Sequence, residues 1–348
     1  MPCGVRLRGS HLVSECKGVL VVGEKDTVRE TLSKATRGVV SVGRRLADGL
    51  SEHLSAVFIG DNVKDPAEQS IRCGCDRAYL AEHGSLCEYD PDLYLPVLQK
   101  LSEDIKPRVV LAPHTALMQD LFPRLAYRLK TCVVTDCIHV ELDDRGAALL
   151  MTKPIYGGNA LAVYRCSSSP HMATIRTHTG LSAAPAVDNQ GEVVRLDVDT
   201  DLHFCRMKVT NRIREELNGV KLEEAEVVVS GGRGIGGTDG FEHLRELAMI
   251  LNGALGASRP PCDLGWVSSL AQVGLTGKMV APNVYFAVGI SGSMQHLTGM
   301  YESRCIVAIN KDATANIFKF ADYGIVGDYR AVLPPFIENM KELLERKV

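Results

Sequence analysis

The sequence predicts an α/β fold in two domains: an N-terminal domain with a mostly parallel sheet and flanking helices, and a C-terminal, doubly wound, Rossmann-like domain. Three observations lead to this prediction. The chain has 348 residues, enough for about two domains. In its first half, short apolar runs alternate with stretches of helical spacing, which is the pattern of βαβ units. After a polar stretch, a strong strand pattern restarts the same alternation. The predicted boundaries are 1–205 for the first domain, 206–221 for a linker and 222–348 for the second domain.

The elements of the first half follow from apolar runs and their spacing. Apolar, mostly β-branched runs predict strands at 18–22, 56–60, 78–80 and 108–112. Helices are predicted within 27–47, at 94–105, where apolar side chains recur at helical spacing, and at 121–129. Four strands with little helix between them follow, which predicts an extension of the sheet or a small β layer, at 138–142, 147–151, 160–164 and 172–175.

The second half begins after a connection. Residues 190–221 are polar and charged and have no clear core period, so they predict an interdomain connection with at most one exposed strand, at 202–209. The run AEVVVS predicts a strand at 225–230, and apolar positions in steps of three and four predict a helix at 241–256. Further strands are predicted at 285–290, 305–310 and 325–326, and a terminal helix at 335–347.

Composition and charge exclude several classes of protein. The formal net charge is −3, from 39 basic and 42 acidic residues, so we expect neither nucleic acid nor an anionic membrane as a partner. Aromatic residues make up only 5%, which argues against base stacking on many rings. No apolar run reaches the roughly 18 residues that a membrane-spanning helix needs, so membrane insertion is not expected.

The cysteine pattern predicts a reducing compartment. Eleven cysteines are scattered without C-x-x-C spacing, which argues against a secreted disulfide scaffold and against common zinc or iron–sulfur sites. We therefore expect no metal. Arg6, Arg8 and Ser10, with no acid before Glu15, faintly resemble a transit peptide, but a strand begins almost at once at Val19. A prokaryotic cytoplasm is thus favoured over a mitochondrial matrix.

A glycine-rich turn is the strongest local signal for a ligand. Gly232, Gly234 and Gly237 have G-x-G-x-x-G spacing directly after a predicted strand and before a predicted helix, which is the context of a dinucleotide fingerprint. Glycines allow a backbone to approach a pyrophosphate, and the Arg233 guanidinium can bind phosphate oxygens. A plain glycine-rich turn remains an alternative. An acid suited to a ribose about 20 residues later is not cleanly placed, because Asp263 lies in a predicted loop.

Polar clusters near several later strand ends extend this signal. They are 256–259 (GASR), 272–278 (QVGLTGK), 289–296 (GISGSMQH) and 309–312 (INKD). Open α/β sheets bind ligands at the carboxyl ends of their strands, so together the clusters predict one extended polar wall for a large cofactor. Two alternatives remain at this point: an NAD-dependent dehydrogenase, for which no convincing general acid or base is evident, and a non-redox nucleotide-binding module.

The same residues carry a family resemblance. The runs VVVSGGRGI, GASRPPCDLGW, QVGLTGKMVAPNVYFAVGISGSMQHLTGM and IVAINKDATANIFKFADYGIVGD resemble the α subunit of electron-transfer flavoproteins, densely over 225–330. A weaker similarity in the first half lies in PRLAYRL from Pro123, in TDC from Thr135 and in YGGNA from Tyr156. The resemblance therefore covers nearly the whole chain from about residue 18.

The resemblance implies that the C-terminal domain binds FAD. It implies that Arg233 contacts the pyrophosphate, that Arg259 lies near the isoalloxazine ring, and that the Thr276 hydroxyl faces the flavin N5. It implies that His296 lies near the pyrimidine carbonyl, where Arg259 and His296 could supply positive charge. Leu275 stands where the family usually has Gln. The full set of implied cofactor-binding residues is Arg233, Ser258, Arg259, Gln272, Val273, Gly274, Leu275, Thr276, Ser291, Gly292, Ser293, Met294, Gln295, His296, Asn310, Asp328 and Tyr329.

The resemblance also implies a function and partners. The chain would be the α subunit of a heterodimer with a β subunit, an electron carrier more than a stand-alone enzyme. It would shuttle electrons between flavin dehydrogenases, such as the acyl-CoA dehydrogenases of fatty acid β-oxidation, and a downstream acceptor. The alternatives are a variant that bifurcates electrons from NADH, or an NAD-binding dehydrogenase.

Overall fold

The structure, a computed structural model, describes residues 16–26, 30–143, 148–158, 160–176, 189–198, 209–211, 220–223 and 225–345. The chain divides into two compact units, Met1–Arg212 and Ile213–Val348. No helix in the described ranges is long and apolar enough to cross a membrane.

The N-terminal unit alternates strands and helices and then adds an antiparallel segment. In chain order its elements are β1 Val19–Gly23, α1 Lys34–Leu50, β2 Leu54–Gly60, α2 Lys64–Arg72, β3 Arg77–Glu82, α3 Pro91–Ile105, β4 Val109–Pro113, α4 Ala116–Arg128, β5 Val133–Cys137, β6 His139–Leu142, β7 Leu149–Ile155, β8 Ala160–Arg165, β9 His171–Ile175 and β10 Glu192–Arg195. Seven of these strands form a parallel sheet in the order β10-β3-β2-β1-β4-β9-β5. Strands β6, β7 and β8 form a separate antiparallel sheet.

Local sequence explains the longest helix of this unit. The Ser33 hydroxyl accepts a hydrogen bond from the Thr36 N–H and caps the N-terminus of α1. The helix ends at Ser51, which adopts a left-handed conformation and donates its N–H back into the last turn. Its buried face, which includes Val39 and Leu46, packs on the sheet residues of one apolar cluster. The predicted helix within 27–47 is therefore confirmed, although it begins at Lys34.

The C-terminal unit is a smaller parallel sheet with helices. Its elements are β11 Val227–Gly231, α5 Gly240–Ile250, β12 Ala254–Ala257, α6 Arg259–Asp263, β13 Val284–Val288, α7 Met294–Met300, β14 Ile306–Asn310, β15 Tyr323–Val326 and α8 Tyr329–Glu345. The strand order is β12-β11-β13-β14-β15, and all pairs are parallel. From β11 the chain first adds β12 on one side and then adds β13, β14 and β15 on the other side. This change of direction makes the unit doubly wound.

Both faces of the C-terminal sheet are covered. Along β13, Tyr285 and Ala287 point into one apolar cluster, whereas Phe286 and Val288 point into the other. Helices α5 and α8 contribute Phe241 and Leu333 to the second cluster. Burial on both faces explains why these strands appear in the sequence as continuous apolar runs. The predicted α/β fold class is confirmed.

Several stretches differ from their predictions. Residues 254–256, the end of the helix predicted at 241–256, belong to β12, because α5 ends at Ile250 and Asn252 then takes a left-handed conformation. Residues 64–72 and 133–137, for which no element was predicted, form α2 and β5.

Residues 192–195, assigned to a polar connection, form β10, which pairs in parallel with β3 at the edge of the larger sheet. The strand has only four residues, and Glu192 and Arg195 bracket its two valines. Such an edge strand has few core positions, so its pattern resembles a loop. The predicted strand at 202–209 lies, except for residue 209, outside the described residues.

Candidate functional site

A cavity of about 640 Å³ opens at the carboxyl edge of the C-terminal sheet. Its lining comes from the loops after β11, β12, β13 and β14. The cavity therefore includes the point between β11 and β13 where the sheet changes its direction of winding. This is the general position of ligand sites in open α/β sheets. The lining residues are Arg233, Gly234, Ser258, Arg259, Pro260, Gln272, Val273, Gly274, Leu275, Thr276, Gly289, Ile290, Ser291, Ser293, Gln295, His296, Asn310, Lys311, Asp312 and Ala315.

The backbone of the glycine-rich turn after β11 packs directly against the backbone at the end of β13. The N–H groups of Gly232 and Gly234 donate to Val288 O at 2.8 Å and to Gly289 O at 3.0 Å, so they bind the loop after β13. A Cβ on Gly232 would lie 2.2 Å from the Gly289 oxygen, and a Cβ on Gly234 would lie 2.8 Å from it. Gly237 has open space around it. Contact within the protein is therefore enough to require the first two glycines, and the approach of a pyrophosphate stays a prediction of the fingerprint.

Gly292 allows the loop that follows β13 to pack closely against another backbone segment. Gly292 has a φ of +82°, and a Cβ there would lie 2.3 Å from the Ile317 nitrogen. The Asn316 side chain donates to Gly292 O at 2.8 Å, and the Ile317 N–H donates to Ser291 O at 3.1 Å. These bonds fix the loop against the segment after β14. As a result, Ser291, Ser293 and Gln295 stand exposed at the cavity.

The segment 272–278 forms another part of the cavity wall. Val273 N–H donates to Ala257 O at 2.8 Å, and Leu275 N–H donates to Gln295 O at 2.7 Å, so this segment is joined to β12 and to α7. The Gln272 side chain donates its Nε2 to Thr276 Oγ1 at 3.0 Å. A hydroxyl that accepts this bond keeps its own hydrogen for a further acceptor. Thr276 can thus act as a hydrogen-bond donor into the cavity.

His296 is buried and neutral. Its Nδ1 lies 3.1 Å from the Val273 carbonyl oxygen, which can only accept, so Nδ1 carries the hydrogen. Its Nε2 therefore accepts from the Tyr285 hydroxyl at 3.0 Å. Burial lowers the His296 pKa to about 4, and the bond to Val273 opposes this shift only in part. The predicted positive charge on His296 is wrong, because desolvation favours the uncharged ring.

Arg259 is a cation in the lining of the cavity. It is the first residue of α6, its side chain is 66% exposed, and its Nε lies 3.1 Å from Asp263 Oδ2 one helical turn later. Such an exposed pair contributes about 0–1 kcal/mol, so a ligand anion can compete with Asp263 for the guanidinium. The neighbouring Ser258 is buried and occupies the N-cap position of α6 without bonding to the helix backbone.

The cavity continues into a narrow extension of about 60 Å³. The two share Gly234, Gly289, Asn310 and Lys311, and the extension ends at Asp328 and Tyr329. The Asp328 carboxylate accepts the Arg330 N–H at 2.9 Å, and the Tyr329 hydroxyl donates to Ile235 O at 2.8 Å. These two residues follow β15, the edge strand of the sheet. The lining is therefore elongated along the carboxyl edge, which suits a dinucleotide.

Most of the residues implied by the resemblance come together here. All of them line the larger cavity except Gly292 and Met294, which lie in the adjoining loop and helix, and Asp328 and Tyr329, which line the extension. Seven lining residues were not in the implied set: Gly234, Pro260, Gly289, Ile290, Lys311, Asp312 and Ala315. Most of them belong to the polar clusters or the glycine-rich turn noted in the sequence, whose position after strands was the signal.

The donor set fits FAD. The lining carries three basic side chains, Arg233, Arg259 and Lys311, and one acidic side chain, Asp312, so its charge suits an anionic ligand such as a pyrophosphate-linked dinucleotide. The hydroxyls of Ser258 and Ser293 make no capping bond to the helices that they precede, which leaves both for a ligand. The volume lies in the range of sites for cofactors and drug-sized molecules. The chemistry, the charge and the size of the cavity therefore agree with this cofactor.

Comparisons with known proteins agree along the chain. Residues 19–201 match the electron transfer flavoprotein domain, and residues 221–301 match the electron transfer flavoprotein FAD-binding domain. The chain is 43% identical to the electron transfer flavoprotein subunit alpha of Thermoanaerobacterium thermosaccharolyticum, over 88% of this chain and 92% of that protein. It is 39% identical to the protein of the same name from Bacillus subtilis, over 94% and 98% of the two chains.

A further relative has a different name. The acryloyl-CoA reductase electron transfer subunit beta of Anaerotignum propionicum is 35% identical over 87% of this chain and 90% of that protein. The resemblance stated from the sequence is thus confirmed. This chain belongs to the electron transfer flavoprotein family, among its α subunits, with an electron-transfer role and FAD as its cofactor.

Proposed function

We propose that this chain is the FAD-holding subunit of a heterodimeric electron carrier. It pairs with a β subunit and moves electrons between flavin dehydrogenases, such as acyl-CoA dehydrogenases, and a downstream acceptor. The observation that carries the proposal is the elongated polar cavity at the carboxyl edge of the C-terminal sheet. The FAD-binding match covers much of its lining. Bound FAD supplies the capacity to accept and release electrons.

The chain's own residues bind and orient the cofactor. Arg233 and Lys311 provide charge for the pyrophosphate, and Asn310 and Asp328 provide polar groups at the narrow end, where we place the adenosine. Arg259 lies in the wall that we assign to the ring, where its charge favours a reduced, negatively charged flavin. The Thr276 hydroxyl, which already accepts from Gln272, donates its hydrogen to the ring nitrogen N5.

His296 acts here as a positioning residue. Its Nδ1–H donates to the Val273 carbonyl oxygen, and its Nε2 accepts from the Tyr285 hydroxyl. It therefore connects the segment 272–278, which we assign to the flavin ring, to β13. Because the imidazole is neutral, Arg259 is the charge that we assign to the ring. This division of roles corrects the assignment implied by the resemblance, in which both side chains could supply charge.

A second subunit and a cellular location follow from further observations. The rim of the cavity is open: Leu275 is 53% exposed, and Arg233 and Gln295 are exposed as well. An exposed rim supports a β subunit that covers the flavin. The name of the relative from Anaerotignum propionicum connects that protein to an acyl-CoA reductase, which supports a dehydrogenase of acyl-CoA thioesters as the partner in electron exchange. The bacterial relatives support a prokaryotic cytoplasm.

Anaerobic reduction of the reconstituted complex tests the proposal. The chain is co-expressed with its β subunit, and flavin is counted per heterodimer. An acyl-CoA dehydrogenase with its substrate is then added, and we expect it to bleach the flavin absorption, whereas NADH alone does not. Rapid reduction by NADH with two flavins per heterodimer would replace the proposal with electron bifurcation. A colourless complex that binds NAD would replace it with an NAD-binding dehydrogenase.

A further inference from the structure

Two cysteine side chains of the N-terminal unit lie against each other at its surface. Cys132 directly precedes β5, and Cys166 directly follows β8. Their sulfur atoms are 2.9 Å apart, and the two residues are separated by 34 positions in the sequence. A disulfide bond is about 2.05 Å long, so a small side-chain movement would bring the two sulfurs to bonding distance.

The surrounding contacts hold both cysteines in place. Ser168 Oγ lies 3.6 Å from the Cys132 sulfur and 2.8 Å from Thr131 Oγ1, and the Thr131 hydroxyl donates to Pro170 O at 2.9 Å. The residues on either side of the pair thus bond to one another across the gap between the two strands. The approach of the two sulfurs is therefore part of a fixed local arrangement.

The pair is open to small reagents. An open cavity of about 430 Å³ is lined by both cysteines, by Tyr164, and by the basic side chains of Lys153 and Arg165. Cys132 is exposed, and Cys166 is half-buried. By contrast, Cys73, Cys75 and Cys137 are buried, so a reagent in solution reaches them less readily.

We propose that Cys132 and Cys166 are a redox-active dithiol that closes reversibly to a disulfide by exchange with a low-molecular-weight disulfide. The Cys132 thiolate attacks one sulfur of the small disulfide, forms a mixed disulfide and releases one small thiol. Cys166 then loses its proton, attacks the Cys132 sulfur and releases the second small thiol. Two protein thiols are oxidised, and one small disulfide is reduced to two thiols.

The order of attack follows from the environments of the two residues. Cys132 is the more exposed of the two and therefore meets the reagent first. Burial and the adjacent Cys132 raise the pKa of Cys166, which makes Cys166 the poorer first nucleophile. The closed disulfide joins β5, at the edge of the seven-stranded sheet, to β8, at the edge of the three-stranded sheet.

Peptide mapping in glutathione buffers tests this proposal. The FAD-loaded heterodimer is equilibrated over a series of ratios of oxidised to reduced glutathione, quenched with iodoacetamide and digested with trypsin. Cleavage after Lys130, Arg145, Arg165 and Arg176 yields peptides 131–145 and 166–176. We expect these two peptides to be cross-linked at oxidising ratios and separate at reducing ratios, with a single midpoint. Peptide 131–145 also contains Cys137, so tandem mass spectrometry assigns the bonded sulfur.

Three variants complete the test. Cys132→Ser and Cys166→Ser should each abolish the cross-link, and in Cys166→Ser the remaining Cys132 should carry a glutathione adduct under oxidising conditions. Cys87→Ser, which removes another exposed thiol, should leave the cross-link and its midpoint unchanged. The proposal is overturned if Cys132 and Cys166 carry only separate glutathione adducts, if both are alkylated at every ratio, or if the bond maps to Cys137. These readouts do not use electron transfer, so they stand apart from the proposed function.

Discussion

At the scale of single residues, burial decides what His296 can do. The resemblance implied that His296 could supply positive charge near the flavin, and the sequence offered no sign that Tyr285 and Val273 would contact both of its ring nitrogens. Those contacts come from β13 and from the segment after β12, 11 and 23 residues before His296. The position of His296 at the site could be predicted from the motif, but its protonation state depends on packing that only the fold supplies.

We predict a specific pH dependence from His296. Its pKa is about 4 in the folded chain and about 6.5 when unfolded, so between these values the unfolded chain binds the extra proton. The stabilisation is therefore complete above about pH 6.5 and is lost as the pH falls towards 4, by about 3 kcal/mol. Urea unfolding at pH 7 and pH 4 should show a smaller pH effect in His296→Gln than in the wild type.

The control for this experiment is His243→Gln, on α5 of the same unit. Its pH effect should match that of the wild type. An equal pH effect in wild type and His296→Gln would mean that His296 is protonated without penalty in the folded chain, and would remove the argument that it is neutral.

Arg259 yields a second prediction at this scale. Arg259→Gln should lower the flavin's reduction potential more than it lowers FAD affinity, because the positive charge beside the ring is lost. The reduced flavin should be destabilised by about 1–3 kcal/mol, the value of a charge-assisted hydrogen bond. Asp263→Asn releases the guanidinium from its present partner and should shift the potential in the opposite direction. Redox titration of the heterodimer measures both shifts. Loss of FAD at an unchanged potential would instead make Arg259 a phosphate anchor.

At the scale of elements, the turn after β11 shows that a sequence motif can predict the position of a site although its glycines also have a structural role. Its G-x-G-x-x-G spacing predicted a site, and the turn does lie at the cavity. The spacing could not show that the first two glycines contact the Gly289 backbone, since that loop follows a strand more than 50 residues later. This backbone contact places the loop of Ser291 and Gln295 beside Arg233.

The close contact between the turn after β11 and Gly289 predicts that two glycine substitutions differ strongly in their effect on stability. Gly232→Ala places a Cβ 2.2 Å from a backbone oxygen and should destabilise the C-terminal unit by about 1–3 kcal/mol or more. Gly237→Ala meets open space and should change stability by less than about 0.5 kcal/mol. Thermal unfolding and FAD titration of both variants check this. If Gly237→Ala lost FAD while Gly232→Ala bound it normally, the fingerprint interpretation would be favoured.

The same scale separates the strands that the sequence predicted from those that it did not. β1, β4, β11 and β13 are buried on both faces, so their continuous apolar runs identify them. β10 pairs on one side alone and ends in Glu192 and Arg195, so nothing in its composition separates it from a loop. Sequence patterns therefore predict central strands well and short edge strands poorly, because burial is what creates the pattern.

At the scale of the whole molecule, the family and the cofactor follow from the sequence, whereas the electron donor and acceptor belong to the proposed function. The polar clusters near strand ends were sufficient to predict one wall, because parallel strands bring their carboxyl ends to the same edge. The extension towards Asp328 follows from β15 being the last strand of that edge. The central claim is that FAD occupies this wall.

Flavin content of three purified heterodimers tests that claim most directly. Ser291→Trp places a large side chain in the cavity, whereas Met249→Trp places the same side chain on α5, where Met249 is 67% exposed and does not line the cavity. Visible absorption should show that the wild type and Met249→Trp hold FAD and that Ser291→Trp has lost it while remaining folded by circular dichroism. Full FAD content in a folded Ser291→Trp heterodimer would contradict the account.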